Sequence, residues 1–354
     1  MARNDNERPS VRGRGASSNP ANRFEQVRYE RDPECEDGEQ PSPKTQFLKD
    51  HSQSIITYND SPDIPFRASF NPYRGCEHGC VYCYARPYHE YLGFSSGLDF
   101  ESKIMVKENA PELLRKELSS PKWKPQMLAL SGVTDCYQPI ERHLKLTRRC
   151  LEVLADFRNP VGIVTKNFMV TRDIDVLTEL ARHKCVAVNI SVTTLDSALA
   201  RVMEPRTSSP SMRLAAIEKL AGGGIPVGVM VAPVIPGLTD HEIPSILAVA
   251  AKAGASWAGH VVLRLPYAVK GLFEDWLTQH FPDRKEKVLN RIKAVRGGKL
   301  NDGRFGSRME GEGIFAEQIA SMFDVSVRKV GLTGYPKLST EGFRRVDEKQ
   351  LSLL

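Results

Sequence analysis

The sequence predicts an α/β fold on a parallel sheet, and three observations carry that expectation. Short apolar runs recur from about residue 66 to 300, each is followed by a helical pattern, and helix start and stop residues mark the junctions. The candidate strands are RASFN near 67, QMLALSG near 126, VGIVTK at 161, CVAVNISVT at 185, PVGVMVAPV at 226 and AGHVVLRLP at 258. The clearest helix is IERHLKLTRRCLEVLADF, where Ile140, Leu144, Leu151, Leu154 and Phe157 recur at helical spacing. Asn109 with Glu112 and Thr239 with Glu242 read as capping boxes. Ser209 and Pro210 read as N-cap and first helical residue, and AGGGIP at 221 as a helix end running into a strand. Six strand–helix pairs joined by right-handed crossovers curl into a barrel or lie as an open doubly wound layer. In either case the reactive site sits at the C-terminal ends of the strands.

Composition narrows the class. The chain has 354 residues, 41% hydrophobic and 26% charged, which is ordinary for a globular protein. It has no run of eighteen apolar residues, and its start, MARNDNERPSVRGRG, lacks the apolar centre of a signal peptide, so a soluble cytoplasmic protein without membrane contact is expected. Seven cysteines, odd in number and unevenly spaced, read as ligands or buried thiols rather than disulfides. The net charge of +6 is unevenly placed: residues 283–354 hold fifteen Lys/Arg against ten Asp/Glu, whereas the first fifty hold nine against ten. Such a basic end can track a nucleic-acid backbone or simply form a solvated helical face.

Three regions are expected: a mobile arm over 1–60, containing Cys35 as an incidental exposed thiol, a core over 61–300, and an extension over 301–354 forming a helix and loop against one side of the barrel. The segment FNPYRGCEHGCVYCYAR, residues 70–86, lies directly after the first strand and places Cys76, Cys80 and Cys83 within eight positions. Three thiolates suit a [4Fe-4S] cluster that keeps one iron free of protein ligands and open to another molecule. A zinc site completed by His78 or His89 is the alternative. No further C-x2-C pair follows in the extension, so no auxiliary cluster is expected.

C-x3-C-x2-C after the first strand, with Tyr82 just before the third cysteine, resembles the signature of radical S-adenosylmethionine (radical SAM) enzymes. That resemblance implies a partial (β/α)6 TIM-type barrel. It also implies a free iron that chelates the methionine moiety of S-adenosylmethionine, reductive cleavage to a 5′-deoxyadenosyl radical, and an electron donor such as flavodoxin or ferredoxin. With VTD at 133, TK at 165, IS at 190 and VAPVIPGLTD at 231, the chain looks like spore photoproduct lyase and its DNA repair photolyase-like bacterial relatives. By that likeness Thr134, Asp135, Lys166 and Ser191 contact the cofactor. Their chemistry agrees: an ammonium needs acceptors and a carboxylate needs donors, and Asp135 and Lys166 offer one of each.

Arg206, in MEPRTSSP, is a candidate planar fork for the cofactor carboxylate or a substrate phosphate. Pro236-Gly237 reads as a type II turn near the adenine or as a plain connection, and Cys150 and Cys185 read as buried apolar residues. In spore photoproduct lyase a hydrogen-donating cysteine precedes the Ser/Thr-Asp pair, at the position of Gly132; here Cys136 follows the pair and is the candidate catalytic thiol, with Gln138 and Glu141 as weaker candidates. The expected activity is hydrogen abstraction, with nucleic acid a possible substrate held through Arg291, Lys293 and Arg296. The alternatives are a peptide or small-molecule substrate, or a non-catalytic iron–sulfur or zinc protein.

Overall fold

The computed structural model describes residues 10–25 and 43–346. Its main sheet contains β2 (Ile56–Tyr58), β3 (Ala68–Phe70), β6 (Leu128–Leu130), β7 (Val161–Thr165), β8 (Val186–Ser191), β9 (Val227–Val234) and β10 (Trp257–Val262), in the spatial order β10-β9-β8-β7-β6-β3-β2. From β3 to β10 every neighbour is parallel and the order follows the chain, while β2 adds an antiparallel edge. This is the partial (β/α)6 barrel, and each of the six expected strands falls where its apolar run lies. The run VAVNIS of β8 is buried at every position because helices cover one face and the barrel interior the other. Register is regular, with Val161 opposite Val186 and Ile163 opposite Val188. Among the described residues no helix is long and apolar enough to cross a membrane.

A second, three-stranded sheet pairs β1 (Gln46–Lys49) with β5 (Lys103–Val106) and β5 with β4 (Tyr73–Arg74). It flanks the segment after β3, together with α1 (Leu98–Ser102). The helices between the sheet strands are α2 (Ala110–Ser119), α3 (Glu141–Leu144), α4 (Leu146–Phe157), α5 (Ile174–Arg182), α6 (Ser197–Met203), α7 (Pro210–Gly222) and α8 (Ile243–Lys252); α9 (Val269–His280), α10 (Lys285–Ala294), α11 (Ser307–Glu310) and α12 (Ile314–Lys329) follow β10. The helix expected as one piece from 140 to 157 is two, because Lys145 adopts φ 52 between α3 and α4. Leu151, Leu154 and Phe157 are fully buried, whereas Leu144 on the far side of the break is exposed.

Capping follows the sequence in part. Ser209 Oγ accepts from the Met212 N–H, and α7 ends at Gly222 with Gly224 at φ 71. Neither capping box forms: Asn109 makes no side-chain cap, Thr239 Oγ1 accepts from the Ile235 N–H at 3.0 Å, and Glu242 reaches across to Thr194 and the Leu195 N–H. Thr239 and Glu242 are taken by other partners, and Glu112 of the first box pairs with Arg149.

The amino-terminal arm departs from expectation. Residues 10–25 pack against the chain after β3, with Val11 and Ala16 buried, and β1 and β2 lie within the stretch expected to be mobile. Cys35 lies outside the described residues. The extension packs α12 on α8, and Thr333 bridges Trp257. Beyond it Ser339 N–H donates to Lys184 O at 2.9 Å and Arg344 N–H to Phe157 O at 3.0 Å. Both acceptors precede strands, so this segment covers the N-terminal ends of the sheet, opposite the cysteines.

Because Ile190 of β8 is wholly buried, Ile190→Ala is expected to cost about 2–5 kcal/mol of stability. Val164→Ala, at an exposed position of β7, should stay within about 0.5 kcal/mol of wild type. Chemical denaturation of the two variants under anaerobic conditions checks the pair, and equal midpoints would contradict the burial described.

Candidate functional site

The chain leaves β3 at Phe70, pairs β4 with β5, and turns into the thiol loop, where the Cys76 N–H donates to Phe100 O at 2.9 Å. Cys76 and Cys80 are buried, Cys83 is half-buried, and all three are free thiols. The loop is held by the buried Arg86. Its Nε and Nη2 donate to Cys80 O at 3.0 and 2.9 Å, its Nη1 donates to Gly97 O at 3.0 Å, and its Nη2 pairs with the Glu101 carboxylate. Glu101 also accepts the N–H groups of Gly15 and Ala16 at 3.0 and 2.9 Å, which ties the amino-terminal segment onto the loop. The approach is close enough to require glycine on both sides. A Cβ on Gly15 would sit 1.7 Å from the Gly79 carbonyl oxygen, and Gly79 itself has φ +67 and Glu101 Oε2 2.7 Å from its ideal Cβ.

Asp135, after β6, anchors the end of β7 and the thiol loop. Its carboxylate accepts the Lys166 N–H and Thr165 hydroxyl at 2.8 Å each and the Tyr137 N–H at 2.9 Å, and it lies 3.3 Å from His78 Nδ1. Burial alone would lower the His78 pKa, but Asp135 and then the Cys76 sulfur hold it up to about 10. The other ring nitrogen of His78 meets Asn167 at 3.1 Å. The cation inside the thiol loop therefore faces an anion at the end of β6.

Lys166 gathers the third group. From the end of β7 its Nζ donates to Ser191 Oγ at 2.6 Å, Ala232 O at 2.9 Å and Thr193 Oγ1 at 3.2 Å, and lies 3.4 Å from Glu204. Glu204 is buried against Arg213 and accepts the hydroxyl of Tyr82 from the thiol loop. Burial would raise the Glu204 carboxyl, but Arg213 and Lys166 hold it down to about 2. Burial pushes the Cys80 thiol well up and Cys83 to about 11, while Lys166 opposes both rises and Arg86 opposes that of Cys83. Thiolates become favourable here only when a positive centre joins them, as metal binding requires.

The remaining sequence candidates have other partners. Thr134 Oγ1 donates to Gly75 O at 2.6 Å, and Gln138 meets the Glu77 N–H at 3.0 Å, so both fasten the thiol loop. Arg206 lies 3.2 Å from Glu77 and 3.3 Å from the Thr45 hydroxyl. Glu141 is a buried acceptor for Tyr73 at 2.6 Å and Arg172 at 2.7 Å. Cys136 is fully buried within the main hydrophobic core, with burial pushing its thiol well up, and Cys150 joins it there. His89 is buried against the Phe94 and Phe100 rings, its pKa lowered to about 4 by burial. Gly132 O accepts from the Tyr84 hydroxyl. In the basic region Arg296 is buried, donating to Val262 O and Leu263 O at 2.8 and 2.7 Å, and Arg291 covers the Phe315 ring at 3.7 Å, so neither guanidinium is a free surface cation.

Sequence reasoning missed Glu204, Arg213, Thr193 and Arg86. Glu204 stood two positions from Arg206 in the segment MEPRTSSP, but nothing local marks a carboxylate whose partners lie on four other segments. Among the described residues no three His, Cys, Asp or Glu groups converge as a single metal ion demands. A cubane takes each thiolate on a different iron. The donor set fits the cluster: three thiols, with the cations of Arg86 and Lys166 close enough to offset their charge.

The family description "Radical SAM superfamily" matches residues 70–250. An uncharacterised protein of Mycobacterium tuberculosis is 39% identical over 222 residues, 62% of this chain and 65% of the relative, so the match falls just short of two thirds of that protein. One of Methanocaldococcus jannaschii is 29% identical over 253 residues, 72% of this chain and 90% of its own. Among solved structures, spore photoproduct lyase complexed with dinucleoside spore photoproduct is similar with TM-score 0.58 and 17% identity, covering 81% of this chain and 80% of that one. At that identity the likeness speaks for the fold.

Removing Arg86 leaves the buried Glu101 carboxylate without its cation, so Arg86→Met is expected to cost about 3–5 kcal/mol. Arg142→Met, at an exposed position of α3, should stay within about 0.5 kcal/mol. Thermal unfolding of the iron-free proteins compares them, and an Arg86→Met midpoint equal to wild type would contradict the clamp.

Proposed function

Because the chain belongs to the radical SAM superfamily, we propose that it holds a [4Fe-4S] cluster on Cys76, Cys80 and Cys83 and cleaves S-adenosylmethionine reductively. When bound, the cluster and cofactor together supply a 5′-deoxyadenosyl radical for hydrogen abstraction. The observation that carries this reading is the Lys166 ammonium, ringed by Ser191, Thr193 and Glu204 and joined through Glu204 to Tyr82 of the thiol loop. Lys166 offers donors to a carboxylate, Ser191 and Thr193 offer hydroxyls to carboxylate or ribose groups, and Glu204 offers an acceptor for an ammonium. Asp135 acts one step back, fixing the Lys166 backbone and the protonated His78; Thr134 and Arg206 hold the loop in shape.

The substrate is nucleic acid in this reading, with a lyase-like reaction. Support comes from the spore photoproduct lyase-like fold and from that protein's complex with dinucleoside spore photoproduct. Hydrogen return to the substrate is not given to Cys136, whose thiol is enclosed by core residues. The reaction draws electrons one at a time from a donor such as flavodoxin or ferredoxin, in the cytoplasm.

Anaerobic reconstitution is expected to load about four irons per chain. Changing Cys76, Cys80 or Cys83 to Ala should abolish loading, and stable zinc retention without iron uptake would refute the cluster. Lys166→Ala should keep the iron yet weaken S-adenosylmethionine binding by about 1.5–3 kcal/mol, the range for a hydrogen bond to a charged group. Equilibrium binding of the cofactor to the reconstituted variant measures this, and unchanged affinity would refute Lys166 as a contact.

A further inference from the structure

The mouth of the thiol loop carries a continuous set of exposed rings that the cofactor reading leaves unused. Tyr84 follows Cys83 directly, and Tyr88 and Tyr91 lie on the 3-10 helix that comes next, Arg86–Leu92, 54% and 67% exposed. Tyr91 stacks on Phe24 of the amino-terminal segment at 4.7 Å, and Arg23 beside it lies over Tyr267 at 3.6 Å. Tyr267, 59% exposed, is three residues beyond Arg264, whose guanidinium lies over the Tyr84 ring at 5.3 Å and so returns the set to the thiol loop. Large rings left exposed and adjacent on a folded chain mark a contact surface. One of them is also held at a backbone penalty: Tyr267 has φ 49, a conformation that side chains beyond glycine rarely adopt and that clusters at functional sites.

Arg264 supplies the charge. Among the described residues it makes no ion pair, its Nη1 meets the Met309 sulfur at 3.6 Å, and its Nε is buried with no acceptor. A half-buried guanidinium without a carboxylate is costly unless an anion completes it. The ligand chemistry this describes is flat and polyanionic together: rings to stack on, and a phosphate for the fork.

We infer that Tyr84, Tyr88, Tyr267 and Arg264 form a platform for an unpaired nucleic-acid strand, its bases stacked on the tyrosines and a phosphate on Arg264. This rests on the nucleic-acid reading above and deepens it from a polyanion to a single strand. A paired duplex hides its base faces inside its own stack and offers the rings nothing to cover, whereas every unpaired base has a free face. Arg23, paired with Glu90, covers one face of Tyr267, and Phe24 extends the shelf.

The test is fluorescence anisotropy of the reconstituted protein with labelled twelve-nucleotide single-stranded DNA and RNA, the matching duplex, and a polyglutamate peptide. The single strands should bind at least about tenfold tighter than the duplex, and polyglutamate should not displace them. Tyr88→Ala and Tyr267→Gly should each weaken single-strand binding about fivefold or more, the effect of losing one stacked base. Tyr267→Gly is the discriminating variant, because glycine relieves the positive φ and removes the ring without straining the fold. Arg264→Gln should flatten the salt dependence by about one phosphate contact. Equal affinity for duplex and single strand, displacement by polyglutamate, or unaltered binding in all three variants would overturn the platform. Iron content of the same samples reports on the cluster separately, so protein that loads iron and binds S-adenosylmethionine but no strand fails this inference and leaves the cofactor reading standing.

Discussion

A loop carrying three thiols in eight residues leaves its own carbonyls without a sheet or helix to pair with, and in a buried position those carbonyls must find donors. The Arg86 guanidinium supplies them from a single planar fork, reaching the carbonyls of Cys80 and Gly97 while Glu101 balances its charge. The loop's shape is thereby set by protein groups rather than by whatever the thiols bind. Glu101 then recruits the backbone of Gly15 and Ala16, so a stretch of polar, low-complexity appearance becomes part of the wall of the site.

From that clamp the rest of the site follows by contact. His78, inside the loop, faces Asp135 at the end of β6; Asp135 receives the backbone of Lys166 at the end of β7; Lys166 reaches Ser191 on β8 and the Ala232 carbonyl on β9. Four strand ends are coupled through these charge pairs and hydrogen bonds, and Glu204 closes the circuit back to Tyr82 in the loop. Each buried charge has an opposite neighbour, which is the condition under which low-dielectric ionic groups are tolerated. The same arrangement sets anion and cation recognition side by side, as a zwitterionic ligand requires.

The sequence was legible where the physics is local. Strands such as VAVNIS announce themselves because a buried parallel strand needs apolar, β-branched residues on both faces, and the three cysteines do so because metal ligands at short spacing have few other uses. It was not legible where a partner arrives from far along the chain. The Asn109 and Thr239 capping patterns were present yet unused, Lys145 broke a helix whose apolar spacing ran straight through it, and the bond from the Thr134 hydroxyl to the Gly75 carbonyl joins segments 59 residues apart. The arm could not be read at all, since its packing depends on Gly15 meeting Gly79 and Glu101 rather than on any apolar period. Glu204 and Arg213 were hidden for the same reason: burial of a charged pair is decided by tertiary neighbours, and composition favours the exposed reading.

The direct test of the account is chemical. Reconstituted protein is reduced anaerobically with dithionite in the presence of S-adenosylmethionine, and 5′-deoxyadenosine is quantified. The account predicts that the wild-type chain forms 5′-deoxyadenosine and methionine, and that Cys80→Ala forms neither. Iron-loaded, reduced wild-type protein that leaves S-adenosylmethionine intact would contradict it.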